Sequence, residues 1–160
     1  MDRINRILAN EKYKMHLEKI NVAEKTRLFC CHNMSHFLDV ARIAMQLSLE
    51  ERLEISKEYI YATALLHDIG RHVQYADGTP HEKASVVLAP EILAECGFDE
   101  EEQQMILEAI GNHRNKRIAM EQNLSGIIYR ADKLSRPCFS CKVEKECDWS
   151  KSKKNLLLEY

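Results

Sequence analysis

Apolar residues recur three and four positions apart along nearly the whole chain, and this helical period restricts the fold more than any other feature. The fold class that follows is all-α. Only five glycines and three prolines punctuate 160 residues, so few breakers interrupt the pattern. A chain of this length fits one domain with a proper core, and no internal repeat or low-complexity stretch divides it. Hydrophobic residues at 45% and charged residues at 30% describe a folded chain rather than a disordered one.

The period predicts a first amphipathic helix over residues 2–20 and a second from Glu24 to Leu47 with Phe29, Asn33, His36, Val40, Ile43 and Leu47 on one stripe. A third helix is expected over Ser56–Ile69, stopped by Gly70, a residue that readily takes the left-handed geometry of a C-cap. DGTP at 77–80 reads as a turn, with Arg71 and His72 in the connection before it. Thr79, Pro80 and Glu82 then supply an N-cap, an N1 proline and an N3 carboxylate for a helix running to Cys96, with Gly97 ending it. Asp99 and Glu102 repeat the start signal for a helix reaching His113. The last helix is expected over Gln122–Ser135, before Pro137. Residues 1–136 therefore read as one helical domain, and 137–160 as a Cys-rich appendage without apolar period.

A formal net charge of −2 with both signs mixed along the chain gives no broad cationic face for nucleic acid or membrane. The N-terminal residues lack the apolar run of a signal peptide, and nowhere do about 18 apolar residues follow one another. A cytoplasmic protein is expected, in which six cysteines are free thiols or metal ligands rather than disulfides.

The informative residues are polar groups set into apolar stripes, because an unpaired buried carboxylate or imidazole is costly. His36 interrupts the second helix. His67 and Asp68 end the third, after the apolar run ATALL, His113 follows Ile106 and Ile110, and Asp132 lies between Ile128 and Ser135. One divalent cation at the bundle centre would satisfy them together, as helical bundles build metal sites from inward side chains. His67 and Asp68 point about 100° apart on a helix, so both reach one site only near the helix end. A His, His, Asp, Asp set suits Mn, Fe, Co, Ni or Zn.

The ordered segments HFLDVARIA (36–44), ALLHDIGR (64–71) and IIYRADKL (127–134) resemble the HD superfamily of metal-dependent phosphohydrolases, whose pattern is H…HD…D on an all-helical bundle. TPHEKAS (79–85) and AIGNHR (109–114) resemble the extra histidine segments of branches that bind two metals, among them those that split dinucleoside polyphosphates. The resemblance implies that His36, His67, Asp68 and Asp132 hold a first ion, and that His81 and His113 hold a second with Asp68 bridging. His81, near its helix start, meets the positive dipole end, which favours the neutral imidazole that ligates metal.

Two ions would acidify water and stabilise both oxygens of an in-line phosphoryl transfer. In this reading Asp68 orients the attacking water and relays its proton. Arg71 forks onto a phosphate, matching the basic residue many family members carry there. Lys133 and Arg136 add charge beside a phosphate leaving group. The expected substrate is a small phosphorylated molecule, a nucleotide in the first instance. Similar ligand sets in other family members hold di-iron and cleave carbon bonds with oxygen, and a non-catalytic nucleotide- or metal-binding regulatory module is the third alternative. Cys138, Cys141 and Cys147 suggest a zinc or iron–sulfur site short of one ligand, which Cys30, Cys31 or His32 would supply, set against a loop of exposed thiols. His16, His32 and His72 read as solvated, and the apolar positions of the first helix serve either homodimerisation or a cap on the core.

Overall fold

The computed structural model describes residues 1–158, and among these every regular element is helical. Eight α-helices follow in order: α1 (Asp2–Ala9), α2 (Glu11–Ala23), α3 (Met34–Glu50), α4 (Lys57–Leu66), α5 (Arg71–Asp77), α6 (His81–Glu95), α7 (Glu100–Asn112) and α8 (Leu124–Leu134). Four short 3-10 turns complete the chain, three of them after residue 137.

The central element is α4. Ile60 and Ala64 pack toward α3 and α8 with Val40, Ala44, Ile127 and Ile128. Ala62, Leu65 and Leu66 pack toward α1, α6 and α7 with Ile4, Ile7, Leu93 and Ile106. A helix apolar on every side is thus enclosed by its neighbours. The apolar positions of α1 and α2, including Ile4, Ile7, Tyr13 and Ile20, cap this core.

Local chemistry explains where the observed boundaries depart from the expected ones. The single helix over 2–20 is two helices, because Asn10 adopts an extended backbone and its side chain accepts from the N–H groups of Lys12 and Tyr13, capping α2. The second helix begins at Met34 rather than Glu24. Asn33 caps it through the His36 N–H, so Phe29 and Asn33 lie outside the helical stripe. Residues Arg71 and His72 lie on a helix, α5, and not on a turn. The N-cap of α6 is Pro80, with no side-chain cap from Thr79, which makes His81 its first residue. At α7 the expected capping box between Asp99 and Glu102 is present.

Gly70 is needed for a different reason from the one expected. Its φ is −79°, so no left-handed cap forms there. A Cβ at this position would come within 2.5 Å of the Ser85 backbone nitrogen and 2.6 Å of the His81 carbonyl oxygen. The missing side chain lets the turn after α4 lie directly on α6, and the Gly70 N–H donates to Ser85 Oγ at 2.9 Å. This contact sets His67 and Asp68 beside His81.

Candidate metal centre

Five helix ends and one turn deliver the inward groups. His36 is in the first turn of α3, His67 caps the C-terminus of α4 and Asp68 follows it. His81 opens α6, His113 caps the end of α7, and Asp132 lies in the last turn of α8. All six are buried. The expectation that His67 and Asp68 share one site because the helix stops there agrees with α4 ending at Leu66.

Each imidazole is oriented through the ring nitrogen that faces away from the centre. His36 Nδ1 donates to Ser135 Oγ at 3.2 Å, and that hydroxyl in turn donates to the Asp132 carbonyl at 2.8 Å. His67 Nδ1 donates to the Ala64 carbonyl at 2.7 Å and His113 Nδ1 to the Ile110 carbonyl at 2.6 Å. His81 Nδ1 lies between Gln74 Oε1 at 2.5 Å and Arg71 Nη1 at 2.8 Å. A neutral imidazole has one N–H, so in the neutral rings of His36, His67 and His113 these bonds leave a lone pair on the inward Nε2.

The inward atoms form two groups, each with its ligand atoms within 4.8 Å of one another: His36, His67, Asp68 and Asp132, and Asp68, His81 and His113. In the first, His67 Nε2 is 3.3 Å from Asp68 Oδ2 and His36 Nε2 is 3.4 Å from Asp132 Oδ1. In the second, Asp68 Oδ1 is 3.1 Å from His81 Nε2 and 3.5 Å from His113 Nε2. The two Nε2 atoms of His81 and His113 are themselves 3.1 Å apart. Two ring nitrogens this close need a proton or a cation between them. His67 Nε2 and Asp68 Oδ1 also have no hydrogen-bond partner despite being buried, a cost that a coordinated cation removes. The donor set therefore fits one or two divalent ions.

The carboxylates draw positive charge into the centre. Burial alone would raise the Asp68 and Asp132 carboxyls, but the His67 charge beside Asp68 and the His36 and His67 bonds to Asp132 hold both well below the usual carboxylate range. Burial likewise opposes a charge on His67, yet Asp68 and Asp132 raise its pKa to about 9. Burial, ahead of its neighbours, lowers His81, which favours its neutral form. Positive side chains crowd the same carboxylates. Arg136 Nη2 lies 3.2 Å from His36 Nε2 and 3.4 Å from Asp132 Oδ1, and Lys133 pairs with the other Asp132 oxygen.

The centre opens on a cavity of about 280 Å³ whose lining includes Arg27, Arg71, Arg114, Lys133, Arg136 and Lys154. Arg71 Nη1 reaches Gln74 Oε1 at 3.2 Å and lies 2.8 Å from His81 Nδ1, while its buried Nε has no partner.

Sequence reasoning missed His32. It is buried rather than solvated, its ring Nδ1 donates to Glu24 Oε1 at 2.5 Å, and its Nε2 faces Asp68 Oδ2 at 3.7 Å. Glu24 also accepts the His32 backbone N–H and the Tyr75 hydroxyl, both at 2.6 Å. Although burial opposes its charge, these partners bring Glu24 down to about 2. No periodic pattern marks the pair, because the connection between α2 and α3 is irregular. His16 and His72 are not solvated loop residues either: they stack with ring centroids 5.0 Å apart, joined by a 2.9 Å ring-nitrogen contact away from the centre. Cys138, Cys141 and Cys147 line the cavity mouth, but among the described residues neither ligand-spaced group includes a cysteine.

Comparison with known proteins bears on these features. Over its full length the chain is 49% identical to an uncharacterized protein of Clostridium beijerinckii, whose whole length it also covers. Over 79 residues, 45% of the chain, it is 39% identical to the CRISPR system single-strand-specific deoxyribonuclease Cas10/Csm1 (subtype III-A) of Methanocaldococcus jannaschii, of which it spans 10%. No solved structure matches it. The HD domain pattern matches residues 33–136, the stretch that carries all six inward groups. The chain therefore belongs to the HD domain family.

Proposed function

We propose that this protein is a metal-dependent phosphohydrolase acting on a small phosphorylated molecule, in the first instance a nucleotide. The observation that carries the reading is Asp68, whose two oxygens face separate sets of inward imidazoles under a cavity lined with cationic side chains. HD domains are in general metal-dependent phosphohydrolases, and His36, His67, Asp68 and Asp132, with His81 and His113, would hold the ions. When bound, divalent ions there supply Lewis acidity toward a phosphoryl oxygen and acidify water.

The chain's own groups do the rest. Asp68, with one oxygen toward each group of imidazoles, would hold and orient the attacking water from a carboxyl kept well below the usual carboxylate range. The unpartnered Nε of Arg71 offers a donor to a phosphate oxygen at the cavity wall. Lys133 and Arg136 balance negative charge as the leaving group departs, from positions next to Asp132. Burial of the centre among α3, α4, α7 and α8 keeps bulk water from the reacting atoms and strengthens these interactions. The deoxyribonuclease named among the relatives supports hydrolysis at phosphorus, so a single-stranded DNA oligonucleotide belongs in any substrate panel. The cytoplasm as its place of action and self-association of the chain are further parts of this proposal.

The test is elemental analysis of protein purified without air, followed by incubation with Mn, Co, Ni, Zn or Fe and a panel of nucleotides, dinucleoside polyphosphates and the oligonucleotide. Metal-dependent phosphate or nucleotide release is the expected result. Turnover that requires both Fe and dioxygen and releases no phosphate would replace hydrolysis with oxygenation. Protein that takes up no ion from any of these solutions would end both readings, leaving at most a regulatory module.

A further inference from the structure

The C-terminal segment poses a physical problem that the bundle does not. From Pro137 to Leu158 no residue is buried, and its large apolar side chains Phe139, Trp149, Leu156, Leu157 and Leu158 are 37% to 73% exposed. Its only regular structure is three 3-10 turns. A segment with no core of its own holds a fold only with a staple. Part of that staple is visible. Asn155 Nδ2 donates to the carbonyls of Lys133, Leu134 and Arg136 at 2.7 to 3.1 Å, and Lys154 Nζ bonds the Glu144 carbonyl at 2.7 Å and its carboxylate at 2.8 Å.

The loop before α3 has the same weakness, since His32 is the only buried residue between Lys25 and Asn33. The fold brings these two irregular stretches together. Cys30 from the loop and Cys138, Cys141 and Cys147 from the tail line one cavity, more than a hundred residues apart in sequence. All four are partly buried free thiols. Burial, with the nearby thiols of Cys30, Cys141 and Cys147, pushes the Cys138 thiol above its ordinary value. The spacing Cys138-x2-Cys141 lets two thiolates chelate one ion, Cys147 adds a third, and the fold contributes the fourth that the tail lacks. Arg27, Arg136 and Lys154 on the same cavity wall offset the net negative charge that four thiolates keep after binding a divalent ion.

We propose that Cys30, Cys138, Cys141 and Cys147 form a tetrathiolate site for a thiophilic metal, a zinc ion or an iron–sulfur cluster, that staples the C-terminal segment to the loop before α3. Binding displaces the four thiol protons to solvent and draws the sulfurs to ligand distance from the wider spacing seen here. The staple would fix the tail as one wall of the cavity over the His and Asp centre. It is separate from that centre and does not depend on its chemistry.

The full-length chain tests this. Protein purified without air or chelator is expected to hold about one equivalent of zinc, or of an iron–sulfur cluster with its sulfide, in excess of the ions of the bundle. Zinc and cluster are told apart by metal analysis and by visible absorption. After stripping, Co(II) should give an intense thiolate-to-cobalt absorption band. C138S/C141S should abolish the band and C30S should weaken it at least tenfold in affinity, with helical circular dichroism and Co(II) binding by the bundle retained. Loss of bundle metal alone, as in H67A, should leave the band in place, so the two readings fail separately. Absence of the band in wild type, full reaction of Cys30, Cys138, Cys141 and Cys147 with a disulfide reagent in metal-loaded protein, or a C30S chain with an undiminished band would overturn the proposal.

Discussion

Asp68 contributes one oxygen to each of two groups of inward imidazoles, which makes it the residue whose loss reaches furthest. D68A is expected to weaken binding at both positions by 100-fold or more, on the order of 3 kcal/mol, measured by titration calorimetry with Mn or Zn. H113A should weaken one position and spare the other, and equal loss of both would count against two separate sites. The stacked pair of His16 and His72 makes a different prediction. Burial, followed by His72 and Lys19, holds His16 at about 4, below its value of roughly 6.5 in an unfolded chain. Its depressed folded pKa means that stability is whole above the unfolded value. That stability is lost as pH falls from about 6.5 toward 4, where the unfolded chain takes up a proton that the folded one refuses. Thermal unfolding of H16Q should be less sensitive to pH across that window than wild type, and parallel curves would refute the assignment.

At the level of the elements, the turn between α4 and α5 positions the centre. G70A must push α6 away, because a Cβ would meet the Ser85 nitrogen at 2.5 Å. A loss of about 1–3 kcal/mol is expected in denaturant unfolding, together with weaker binding of metal to His81. An unchanged midpoint would show that the turn has room. The same elements show what could be read from sequence. The helical class and the Asp99 capping box were legible because each rests on short-range spacing, and the H…HD…D order because its separate segments resemble a known family. The break at Asn10 was not, since Asn is tolerated within an amphipathic pattern and only its backbone conformation reveals the cap. Helix α5 was hidden because it buries no residue and so shows no apolar stripe. His32 was missed for a related reason. Its partner Glu24, and Tyr75 that bonds Glu24 in turn, come from different elements, and no spacing rule connects them.

Across the whole molecule, ions that bind the folded chain alone should raise its stability by mass action, about 2.7 kcal/mol when free metal exceeds the dissociation constant 100-fold. The melting temperature should rise with added Mn or Zn and fall again with chelator, and a metal-independent melting temperature would contradict the site. Trp149, the single tryptophan of the chain, lines the cavity and provides a built-in reporter. Saturable quenching of its fluorescence by a nucleotide, but not by sodium chloride, is expected, while a constant signal during turnover would place the substrate elsewhere. The core adds a practical consequence for anyone trimming the gene. The HD pattern starts at residue 33, yet Ile4, Ile7, Tyr13 and Ile20 fill the same interior as Leu93 and Ile106. A fragment cut at the family limits would leave that oily surface open to water and clump, whereas expression from the first methionine keeps it covered.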